Sequence, residues 1–81
     1  MDDQSDIDRL AAQQMKLRET ISDAAGAASI YTAIICDYCR LGDIDGLNHA
    51  IASFMDYARI IASCNNAIVE SEIERSKHES R

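Results

Sequence analysis

The sequence predicts an all-α fold: one antiparallel helical hairpin of two long helices, expected to dimerise into a four-helix bundle. Three observations predict it. Proline is absent from the 81 residues and glycine occurs only three times, so little in the chain interrupts a helix. Apolar residues recur at alternating steps of three and four along most of the chain, the repeat of coiled-coil-like packing. One strong stop-and-start signal, Gly42 followed by Asp43, divides that repeat. Residues 1–81 therefore read as a single helical-hairpin domain, with a helix over about 6–41, a turn at 42–43, a helix over about 44–74 and a frayed tail, 75–81.

The first helix begins near Ser5, a residue suited to an N-cap, with Asp8 three positions on in a variant of the capping box. Asp6 and Asp8 fall in the first turn, where acids favour the helix dipole. The seam positions hold Ile7, Leu10, Gln14, Leu17, Ile21, Ala24, Ala28, Tyr31, Ile35 and Tyr38, all apolar or aromatic except Gln14. Gln14 is expected to sit near a solvated end, the alternative being a buried amide that fixes register at some cost in stability. Gly26 costs ~1 kcal/mol against alanine inside a helix, so it is expected to mark a close contact or a slight bend. Arg40 in the last turn and Gly42 just past it are agreeing stop signals.

The second helix is capped by Asp43, with Asp45 in its first turn. Continuing the repeat selects Ile44, Leu47, Ile51, Phe54, Ala58, Ile61, Asn65 and Ile68 as its seam. A connection this short makes the helices antiparallel neighbours. Folding at Gly42–Asp43 places Tyr31 opposite Phe54, Tyr38 opposite Leu47, Ile35 opposite Ile51 and Leu17 opposite Ile68. The small residues of "DAAGAAS" allow close approach of the helices.

One seam does not absorb all the apolar residues. Ile30, Ala33, Ile34, Met55, Ile60, Cys64 and Ala67 lie off it, as does Val69. A two-helix hairpin cannot cover a second apolar stripe, and large exposed apolar patches mark interfaces. These residues are the expected self-association or partner interface, and a homodimer with two-fold symmetry is the simplest occupant.

Fourteen acids against eight bases, a net charge of −6, argue against binding a phosphate backbone. They suit solubility, or docking on a basic protein surface. The start, "MDDQSDID", is acidic where a signal peptide is basic and then apolar. The longest nearly apolar run, Ile30 to Cys36, is far below the ~20 residues that span a bilayer. The expectation is a cytoplasmic protein with no membrane partner. Three cysteines, an odd number, fit reduced thiols.

Cys36 and Cys39 sit three apart on one helix, without the knuckle of zinc-binding pairs or the strand of a thioredoxin-like site. They read as packing residues, although two cysteines from each copy of a dimer would make a zinc set. No metal or cofactor is expected. His49 and His78 are isolated, and the acids of "GDIDG" are better explained as caps than as a calcium loop. Tyr31, Tyr38, Phe54 and Tyr57, with Arg40 and Arg59, are the one candidate ligand pocket, for a nucleotide-like molecule; core packing competes for the same aromatics. No general-base pair, activated nucleophile or phosphate loop is present, so no enzyme is expected. The function expected is a non-enzymatic acidic helical protein that self-associates and binds a partner protein as an adaptor or inhibitor. The alternatives are a phage-type inhibitor of host defence, blocking a basic surface or sequestering a nucleotide-like ligand, and a small secretion co-chaperone.

Overall fold

The computed structural model describes residues 3–79. Helix α1 spans Asp3–Leu41 and helix α2 spans Ile44–Glu79. They lie against each other as an antiparallel hairpin measuring 60 × 15 × 14 Å. Its radius of gyration is 18.2 Å, against roughly 12 Å for a compact domain of this length.

The reversal follows from five residues. Gly42 takes the left-handed conformation, with φ at 68°, which a glycine adopts without the steric cost of a Cβ. The Asp43 N–H then donates to the Tyr38 carbonyl at 3.2 Å, the long bond of a Schellman C-cap. The same Asp43 starts α2. Its Oδ1 accepts from the Gly46 N–H at 2.9 Å and its carbonyl accepts from the Leu47 N–H at 3.0 Å. One aspartate therefore closes one helix and caps the next.

Both outer helix ends run further than the sequence repeat predicts. Helix α1 contains Ser5 within its first turn instead of starting from it. Helix α2 continues through residues 75–79 of the expected frayed tail. Arg75 bridges one turn back to Glu72 and one turn forward to Glu79, at 2.9 Å to the latter. Such spaced pairs each add a few tenths of a kcal/mol to a helix end. Residues 80 and 81 of that tail lie outside the described residues.

Every expected seam position of α1 is buried or half-buried. In α2 five of the eight expected seam positions, Leu47, Phe54, Ala58, Ile61 and Ile68, are half-buried, whereas Ile44 is 71% exposed and Ile51 and Asn65 also face solvent. The seam is completed by Ala50, which is 1% exposed, and by Tyr57, Cys64 and Ser71. The cause is at the turn. The Tyr38 ring lies over Gly46, where an added Cβ would fall 2.7 Å from ring carbons. This contact turns residue 46 toward α1, and positions 50, 57, 64 and 71 follow at helical spacing.

The register follows the same phase. Tyr31 stacks on Tyr57, with centroids 5.8 Å apart and ring planes at 28°, one turn beyond the expected Phe54. Small buried residues, Ala24, Ala28 and Ala50, line the line of contact. Gly26 is not part of it: it is exposed, and a Cβ there would meet nothing within 4 Å.

Candidate functional site

Leu10 is the one large apolar side chain closed off from solvent among the described residues. Nine large apolar side chains among the described residues remain exposed, Met15, Ile30, Ile44, Met55 and Val69 among them. The helices divide this surface into two faces. On the first, α1 contributes Met15 and Arg18 while α2 contributes Val69 and Ile73, which together line a shallow groove of about 750 Å³ at the open end. On the second, Gln13, Lys16 and Thr20 of α1 meet Ala67 of α2. Stepping toward the turn in sevens keeps each residue on its face.

The residues expected to form one interface are divided by this geometry. Ile30, Ile34, Ile60 and Ala67 belong to the second face, with Ala33 on the back of α1. Met55 belongs to the first face. Cys64 lies on the seam between the helices and is half-buried there. Ile44 and Ile51, assigned to the seam by the repeat, instead lie on the outer edge of α2, where they join Met55 and Val69, already off the seam by count, and Ile73. Absence of charge at every fourth or third position from 44 to 69 was the available signal.

The aromatic residues proposed as a pocket fill the turn-proximal half of the seam. Tyr31 and Tyr57 occupy each other, Tyr38 covers Gly46, and Phe54 is half-buried. The arginines considered with them stand outside: Arg40 pairs with Asp37 at 3.1 Å and Arg59 with Asp56 at 2.7 Å, all strongly exposed.

A polar cluster bridges the helices at the open end. Gln14, expected near a solvated end, is 6% exposed. Its Nε2 donates to Glu72 Oε2 at 2.9 Å and to Ser71 Oγ at 3.5 Å, and its Oε1 accepts from Arg18 at 3.2 Å. The Arg75 guanidinium donates to both oxygens of Glu72, Nε to Oε2 at 3.2 Å and Nη2 to Oε1. Hydrogen bonds from Arg75, then from Gln14, hold the Glu72 carboxyl at about 2, below its ordinary 4.5. The same contact raises Arg75. A buried amide on an apolar seam fixes register, and this one is satisfied: among the described residues no buried side-chain nitrogen or oxygen lacks a partner.

Cys36 and Cys39 are exposed free thiols on the first face of α1, and Cys64 is a half-buried one. His49 is exposed and His78 half-buried. Among the described residues no three His, Cys, Asp or Glu side chains are grouped to hold a metal, and no helix is long and apolar enough to cross a membrane. No protein-family model, curated protein or solved structure matches the chain.

Proposed function

We propose that this chain is a non-enzymatic binding module: a helical hairpin that self-associates and, as a dimer, docks on a basic surface of another protein. The observation that carries the reading is the imbalance between what the hairpin covers and what it leaves open. Among the described residues one large apolar side chain is closed off and nine are exposed. The accessible surface is 5813 Å², where a compact monomer of this mass exposes about 4,850 Å². The excess is on the order of the ~800 Å² that each partner contributes to a standard interface. A monomer with so little buried apolar area is marginal, and association is the usual remedy in chains this short.

The net charge of −6 doubles on dimerisation, which steers the assembly toward a basic partner. Sedimentation at micromolar concentration tests the first half: the expected particle has twice the 9.0 kDa chain mass, and a well-folded monomer overturns self-association. Capture of the partner from the native host, followed by intact mass of the complex and affinity at two salt concentrations, tests the second. Affinity indifferent to salt overturns the electrostatic docking.

A further inference from the structure

We propose that the second copy packs on the first face, with both turns at the same end, so that α2 of each copy lies over α1 of the other. The inference rests on the self-association proposed above and names its surface and direction.

Helix α2 carries two seams. The first, through Leu47, Ala50, Phe54 and Tyr57, meets its own α1. The second runs in the same alternating steps through 44, 48, 51, 55, 58, 62, 65 and 69, and no position on it is charged. It is turned by roughly 100° from the first, the angle at which a helix in a four-helix bundle meets its second neighbour. Met15 and Arg18 place α1's matching edge on the same side as Val69 and Ile73. Toward the turn that edge becomes Ser22, Ala25, Ser29, Thr32, Cys36 and Cys39, all exposed, uncharged and mostly small. On the second face α1's own edge is charged, at Lys16 and its heptad successors Asp23 and Asp37, whereas on the first face α1's edge is uncharged from Ser22 to Cys39 and Arg18, Asp45 and Arg59 stand beside the apolar stripe.

Large residues on α2 and small ones on α1 make the first face complementary to itself, which a two-fold interface requires. With the turns together, Ile51 lies over the second copy's Cys36 and Met55 over the second copy's Thr32. At the rim, Asp45 comes beside the second copy's Arg40, and Glu70 beside the second copy's Arg18. With the turns at opposite ends, α2 would lie antiparallel on α2, large side chains against large ones, and with the two-fold axis near residue 59 Arg59 would also face the second copy's Arg59 and Asp45 the second copy's Glu72. Size, with the two opposite-charge rim pairs, therefore selects the first arrangement. The uncharged stretch is ~38 Å long; across two helices of ~10 Å each it covers on the order of 750 Å² per copy, close to the ~800 Å² a stable interface needs.

Two experiments decide it. Ile51→Glu and Met55→Glu should each halve the sedimenting mass while helicity by circular dichroism persists, and Ile30→Glu and Ile60→Glu should leave the dimer intact. Direction is read by cross-linking. With Cys39→Ser and Cys64→Ser, Ile51→Cys should give a disulfide-linked dimer on mild oxidation, lost when Cys36→Ser is added. A dimer that survives Ile51→Glu but dissociates with Ile30→Glu overturns this face and leaves self-association standing. So does an associated sample without the 36–51 link, or one linked through Arg59→Cys alone. Should the Glu variants lose helicity, the cross-link alone decides. A folded native monomer overturns both proposals.

Discussion

The two ends of the hairpin are held together by different physics. At the turn end every decisive contact is local: Gly42 supplies the left-handed step, Asp43 bonds back to Tyr38 and forward to Gly46, and Tyr38 packs on Gly46. At the open end the decisive contacts join residues 57 and 58 positions apart, Gln14 with Ser71 and Glu72. The turn end sets which face of α2 looks inward. The open end locks how far along α1 it slides. The difference teaches that phase and register are separate choices, made by separate residues.

The sharpest way to break the open end is to remove Leu10, the one large apolar side chain buried among the described residues. Leu10→Ala should cost about 2–4 kcal/mol, toward the low side of buried leucines because a two-helix seam can partly close over the gap. Chemical denaturation of the variant checks it. At the turn end, Gly46→Ala should lower stability by about 1 kcal/mol although alanine is the better helix former. The Tyr38 ring is the reason, so in a Tyr38→Ala background the same change should become stabilising. A double-mutant cycle showing no coupling between the two positions would remove Gly46 as the phase-setting contact.

Gly26 provides the control between the ends. It lies within a helix with open space where a Cβ would go, so Gly26→Ala should stabilise the fold by up to ~1 kcal/mol, read as a higher melting temperature. The smallest effect expected is with pH. The Glu72 carboxyl is held at about 2 in the folded chain against an ordinary 4.5. A lowered folded value stabilises above the ordinary value, and that contribution is lost as pH falls from 4.5 toward 2. Glu72→Gln should therefore flatten the pH dependence of melting in that window, by a modest amount because the pair is solvent-screened.

Much of this architecture was legible in the chain. Gly42, Asp43 and Arg40 mark the turn through local rules that depend on nothing distant. The α1 seam was legible because Arg9, Lys16, Glu19 and Asp23 exclude its other faces. The phase of α2 was not, because α2 has two uncharged stripes and apolarity cannot choose between Ile44, Ile51, Ala58 and Asn65 on one side and Ala50, Tyr57, Cys64 and Ser71 on the other. The choice rests on Gly46, a residue with no side chain for a hydropathy pattern to count. The burial of Gln14 was hidden for a related reason: its partners lie 57 and 58 residues away, and a lone amide on a seam looks the same whether it is paired or frayed. The candidate surface inherited that ambiguity. Met55 and Ile30 are both off the seam by count, yet only the phase of α2 shows that they look in opposite directions.

A reversal made by one left-handed glycine also orders events in time. Contacts beside Gly42 join residues that are already near neighbours along the chain, so closing them costs little chain entropy, whereas bringing Gln14 to Ser71 first would mean closing a long loop. Loop-closure entropy therefore favours zipping from the glycine outward, each matched turn bringing the next within reach. In that order Tyr31 would meet Tyr57 midway and the Gln14 cluster would engage last, as a latch on helices already aligned.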